Sequence, residues 1–114
     1  MSVTMIKANK ELDKVTRYKM TIAQDILKMS DYVGEIIDVQ NVAIFDDVRE
    51  DKTTRVCSVM DIDGKVYATN SKTFMENIED ISDLFTENEA YSIKINKGTS
   101  KNGREFIFCT LETD

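Results

Sequence analysis

Lys94, Lys97, Lys101 and Arg104 are followed by no acid until Glu105, and Phe106 and Phe108 come next. A spacing of two puts both rings on one side of an extended strand. The surrounding segment, Ala90 to Leu111, reads AYSIKINKGTSKNGREFIFCTL. Two runs of alternating apolar residues joined by a turn rich in glycine, asparagine and serine predict a β-hairpin. This hairpin is cationic and aromatic in a chain of formal net charge -6. Cations beside exposed ring faces suit a groove for single-stranded nucleic acid, where the charges hold phosphates and the rings stack bases.

Other chemistries find few residues to perform them. Histidine is absent, which removes the commonest general base at neutral pH and every Ser-His or Cys-His nucleophile. No glycine-rich phosphate loop, GxSxG elbow or HExxH motif occurs. Asp46, Asp47, Asp61 and Asp63 are the carboxylates that could gather a hard cation. Their best motif, DIDG, fails as a calcium loop: with Gly64 at position six, Val59 and Asn70 stand at positions one and twelve, where acids are required. DIDG is better explained as a hairpin turn, and DDVRED (Asp46 to Asp51) as a solvated loop. The residues therefore predict a protein that is not an enzyme and has no cofactor and no metal site.

At 114 residues the chain is long enough for one domain with its own core. The negative charge is concentrated between Val33 and Glu89, with a sum of -9, against +2 before it and +1 after it. Such a balance argues against indiscriminate attraction to duplex DNA but leaves room for a local cationic groove. No apolar run approaches bilayer length, and MSVTMIKANKELDK lacks the apolar block of a secretion signal. A cytoplasmic protein without membrane contact is expected. Cys57 and Cys109 lie in apolar strand-like runs and read as buried thiols of a reducing compartment.

The pattern divides the chain into an N-terminal arm and short helix (residues 1–32) and a barrel domain (33–114). Residues 1–19 show no clear apolar period and predict a mobile or loosely docked segment. Thr21 to Met29 carries a short helical stripe of Ile22, Ile26 and Met29. Val33 to Phe45 predicts a strand ended by DDVREDKTT; Thr54 to Ile62 and Lys65 to Thr69 predict two more, joined at Asp63-Gly64. Ser71 to Glu87 then turns helical, with Thr73 and Glu76 at capping-box spacing and Ser71 as a competing cap. The final hairpin completes a β-β-β-α-β-β order. That is the order of a five-stranded Greek-key barrel of OB type, preceded by a short helical extension, although a small α+β sheet would give the same string.

Within the barrel reading, Ile107, Cys109 and Leu111 face inward, and Phe106 and Phe108 face outward with Arg104. If Val66 and Ala68 face inward, Tyr67 faces out, and Lys94 likewise opposes Ile93 and Ile95. Each ring taken alone is equally explained by packing, and each lysine by solubility. The concurrence of Tyr67, Phe106 and Phe108 with Lys65, Lys94, Lys97, Lys101 and Arg104 is what favours a binding surface.

The stretches RYKMT (from Arg17), KMSDYVGEIIDV (from Lys28), DGKVYATNSKTF (from Asp63) and KGTSKNGREFIFCTL (from Lys97) resemble small single-stranded DNA-binding proteins of phages of Gram-positive bacteria. The resemblance implies an OB-type barrel, sequence-tolerant binding of single-stranded DNA, and a role in phage DNA replication in the host cytoplasm. Replication proteins and further copies of the chain are then partners to consider. It also implies Tyr67, Ser71, Lys72, Lys101, Arg104 and Phe106 as contacts. DDVRED departs from it, because acids beside a DNA groove repel phosphate. The alternative is a non-catalytic interaction module, or an acidic DNA mimic that offers its helix face to a basic host protein.

Overall fold

Fourteen consecutive residues, Ile36–Arg49, form the strand around which the sheet is arranged. In a computed structural model that describes residues 2–113, the elements follow in the order β1 (Ser2–Ala8), α1 (Lys14–Thr21), β2 (Leu27–Lys28), a 3-10 turn (Met29–Tyr32) and β3 (Ile36–Arg49). Then come β4 (Lys52–Asp61), β5 (Val66–Thr69), α2 (Lys72–Ser82), β6 (Tyr91–Thr99) and β7 (Glu105–Leu111). The strands join in the order β2-β5-β4-β3-β6-β7, with β1 also on β3. β3 pairs with β4 from Val39 to Arg49, while its other edge is divided: Ile36 to Val39 pairs with β6 and Ala43 to Val48 with β1. A register shift between Val39 and Asn41 falls where the partner changes, and such a bulge bends the strand that carries it.

The result is a curled mixed sheet, a half-barrel with two helices, consistent with an OB-like barrel. β3, β4, β5, α2, β6 and β7 supply the expected order, and β1 and β2 enlarge the sheet beyond five strands. Phe74 and Ile78 of α2 fill one side of the sheet against Ile37, Val59, Ile93 and Ile95. Among the described residues no ladder joins β5 to β7. α2 instead meets the free edge of β7: the Ser71 hydroxyl donates to the Ile107 carbonyl, and Asn77 Oδ1 accepts from the Cys109 amide at 3.3 Å.

The first thirty residues differ most from their expected form. Residues 2–8 are a paired strand, and the helix occupies Lys14–Thr21 rather than Thr21 to Met29. Its start is set by Asp13, whose carboxylate accepts from the Thr16 amide at 2.7 Å; these hydrogen bonds hold that carboxyl below its ordinary pKa. Only Met20 of α1 is buried, which explains why no helical stripe was visible. Met20 seals a second cluster with Ala43, Met60 and Val66, on the other side of the sheet from Phe74.

DDVREDKTT does not break the sheet. β3 and β4 continue through it to a tight turn in which Glu50 adopts φ 49°. Asp46 stands opposite Arg55 in the ladder and the two pair at 2.8 Å, so the opposing charge keeps the acid in the strand. A turn forms at Asp63-Gly64, with Gly64 alone of the pair at positive φ, 89°, and Asp61 Oδ1 accepting from the amides of Asp63 and Lys65. Ser71, not Thr73, caps α2, accepting from the Phe74 amide at 3.2 Å, and the helix stops at Ser82, short of Glu87.

Cys57 and Cys109 are free and buried. Burial pushes the Cys109 thiol up to about 12 and the Cys57 thiol further; Tyr91, half-buried against Phe85, is also raised to about 12, chiefly by desolvation. These groups keep their protons in the folded chain at pH values where the unfolded chain loses them. Stability should therefore fall as pH rises from about 9 towards 11. The urea midpoint measured across that range should drop, and neither thiol should react with an aromatic disulfide reagent at pH 8 until the protein unfolds. Ser71→Ala removes both a helix cap and the bond to β7, and should cost about 2 kcal/mol in urea denaturation.

Candidate nucleic-acid interface

The end of β5, the first turn of α2 and the start of β7 converge on an open cleft of about 530 Å³. Lys28 reaches it from β2, Ser30 from the 3-10 turn, Thr54 and Val56 from β4, Asn70, Ser71 and Lys72 from the cap of α2, and Glu105 and Phe106 from β7. Ser71 fixes this junction by bonding at once to its own helix and to β7, which places Lys72 in the first turn beside Phe106. Phe106 stands opposite Gly98 in the β6–β7 ladder. A Cβ on Gly98 would lie 2.6 Å from Cζ of that ring, so the glycine is what lets the ring lie across β6. Phe108 follows on the same face, its ring centroid 5.9 Å from that of Phe106 and its plane tilted by 42°. Lys94 and Asn96 share this face from the adjacent strand, and Asn96 Nδ2 donates to Thr110 Oγ1 at 3.1 Å.

A second cleft of about 490 Å³ is lined by Lys19, Tyr32, Lys65 and Tyr67, with Asp25 and Asp63 on its wall. Tyr32 and Tyr67 meet edge to face at 5.2 Å. The two clefts adjoin along the parallel pairing of β2 with β5. Leu27 and its partner Tyr67 line one, while Lys28 and its partner Ala68 line the other.

The residues singled out from the sequence are thus divided. Ser71, Lys72 and Phe106 come together in the first cleft, and Lys65 and Tyr67 in the second. Phe108 and Lys94 lie on the outer face of the final hairpin, next to Phe106. Lys97 points to the opposite side of β6 from Lys94 and pairs with Glu105 at 3.4 Å. Lys101 and Arg104 are exposed at the hairpin turn, which Ser100 closes by donating its amide to the Arg104 carbonyl at 2.8 Å. Neither lines either of these two clefts.

Tyr67 requires a correction. It does not face outward: it is 8% exposed and packs in the same cluster as Val59, its ladder partner, and Phe74. Val66 points the other way, under Met20 of α1. Alternation was misleading because α1 makes the outer face of β5 apolar too, so neither face was marked by polarity. Burial raises the pKa of the Tyr67 hydroxyl above its ordinary value.

Lys19, Lys28, Ser30 and Tyr32 were not anticipated as site residues. Lys19 lies in RYKMT, and the other three in KMSDYVGEIIDV, so their signal was present in the stretches that carry the resemblance. The acidic departure proves harmless to the geometry. Residues 46–51 line neither cleft; Asp46 is paired with Arg55, which holds its carboxyl below the ordinary range, and Asp47 with Arg49 at 3.2 Å. Among the described residues no three potential metal ligands cluster, and no helix is long and apolar enough to cross a membrane.

Residues 6–112 match the family model of the phage single-stranded DNA-binding protein, of Phi29 type. The chain belongs to that family. Comparison with curated proteins and with solved structures gave no match. Family membership makes single-stranded DNA the ligand, and the family is a non-catalytic DNA-binding one. Gly98→Ala should push the Phe106 ring out of its place. The expected result is a loss of about 1–3 kcal/mol in urea stability, together with weaker binding of labelled oligo-dT by fluorescence anisotropy.

Proposed function

We propose that this protein coats exposed single strands during phage DNA replication, stacking bases on Phe106 and neutralising phosphates with the lysines around it. The observation that carries the reading is the first cleft, where an aromatic ring, two lysines and the hydroxyl-rich cap of α2 meet. Lys28 and Lys72 are the phosphate contacts there. Phe108 and Lys94 extend the stacking face along the hairpin, and Lys97, Lys101 and Arg104 supply further charge near its turn. The adjoining cleft lets Lys19 and Lys65 take the same strand onward, with the edges of Tyr32 and Tyr67 beneath it. The structural frame is a five-stranded OB-type barrel made by β3, β4, β5, β6 and β7, onto which β1 and β2 are added.

Stacking explains tolerance of sequence, since every base has a ring face, and each stack contributes roughly 1–3 kcal/mol. Compensation of phosphate charge makes affinity fall with salt, by roughly 0.7 in logarithmic slope for each phosphate neutralised on a single strand. Selection against duplex follows from the acidic middle of the chain, residues 33–89, whose net charge of -9 opposes broad attraction to phosphate. Replication proteins of the phage, in the host cytoplasm, are the partners of such a coat.

Labelled oligo-dT titrated at two salt concentrations tests this. Phe106→Ala should weaken binding roughly 5- to 150-fold, the range that one lost stack gives. Lys28→Ala and Lys72→Ala should each flatten the salt dependence by roughly 0.7 in slope. Wild-type affinity in all three variants would remove the cleft from the reading.

A further inference from the structure

β1 carries a bulge that turns two neighbouring side chains the same way. Its ladder with β3 pairs Met5 with Phe45 and Lys7 with Ile44, which leaves Ile6 as the extra residue. In a regular strand Ile6 and Lys7 would point to opposite faces. Here both reach toward α2. Lys7 pairs with Glu79 and Asp83 at 3.6 and 3.7 Å, and Ile6 lines a recess together with Met75. The recess measures about 290 Å³, and Ile6, Ile44 and Met75 form its apolar lining.

This recess adjoins the first cleft, because Asn70 and Lys72 line both. The rest of its wall is charged, and most of that charge is already engaged. Arg55 is held by Asp46 through two hydrogen bonds, at 2.8 and 3.2 Å, and Glu79 by Lys7. Glu76 makes no ion pair among the described residues. It follows Lys72 by one helical turn, so the two side chains are neighbours on the surface of α2. The first cleft offers a ring that any base can stack on. The recess offers something narrower, a carboxylate, which when ionised can only accept hydrogen bonds. It favours the exocyclic amine of cytosine or adenine and opposes the carbonyl oxygen of thymine or uracil.

We propose that the recess between β1 and α2 is a base-reading subsite. A strand whose phosphate lies on Lys72 places the next base against Ile6, Ile44 and Met75, where its exocyclic amine donates to Glu76. The ligand is an amino-bearing base, cytosine or adenine, and the Asn70 amide donates to the acceptor nitrogen of its ring. Base choice thus enters at one position of an otherwise sequence-tolerant site. The subsite rests on the reading of the first cleft as a DNA site.

Two short oligonucleotides of equal length isolate the contact, one alternating thymine with cytosine and the other thymine with uracil. Cytosine carries an amine where uracil carries a carbonyl. In anisotropy titrations the full chain should bind the cytosine strand roughly fivefold more tightly, the low end for one base-edge contact. Glu76→Gln should bring the ratio to about one, since an amide can present either its donor or its acceptor. Asp80→Asn removes a charge from the same helix outside the recess and should keep the wild-type ratio. If Glu76 merely repels phosphate, Glu76→Gln strengthens both strands alike and leaves the ratio unchanged, which overturns the proposal. Equal binding of the two strands by wild type removes the subsite alone. A wild-type protein that binds neither strand overturns the DNA reading and the subsite with it.

Discussion

One strand must satisfy three neighbours. β3 gives one edge to β4 over most of its length and divides the other between β6 and β1, with the change of partner beside a bulge. Backbone amides and carbonyls buried in a sheet need partners, so a strand too long for β6 alone requires another segment to continue the ladder. β1 provides it. From this follow the curl of the sheet, the docking of α1 over its outer face and the burial of β4 and β5 from both sides.

The cleft is made by the same constraint at the other end of the sheet. β5 and β7 do not pair, and the space between them is held by the cap of α2, where Ser71 bonds to Phe74 and to Ile107. A sheet closed by a β5–β7 ladder would leave no opening at this place. Because closure is made by side chains of a helix terminus, Lys72, Asn70 and Ser71 stand at the mouth instead of in a packed wall. Charge separation works in the same direction. Asp46 and Asp47 of the β3–β4 hairpin are held by arginines on the same hairpin, and Glu105, the acid that does line the cleft, is paired with Lys97.

Features set by neighbours in the chain were legible. The Asp63-Gly64 turn, the phase of α2, the final hairpin and the inward side of Ile107 and Cys109 each follow from local spacing. The burial of both cysteines follows from their apolar surroundings. Less visible were contacts between distant segments. Nothing in SVTMIKA announces that it will pair with β3, and α1 buries a single methionine, too little to produce a stripe. The Asp46–Arg55 pair is invisible in a run of acids until the register of two strands is known.

What the amino-acid order determined by itself is the alternation, turns and cap that make each element, and the family to which their motifs belong. These depend on residues a few positions apart, where chain geometry leaves few choices. Only the tertiary structure decided that Tyr67 is turned inward, that Lys97 is spent on Glu105, and that Lys28 stands by Lys72 and Phe106. Those outcomes depend on which surface a distant helix covers and which strand lies alongside, and burial of apolar area settles them for the whole domain at once.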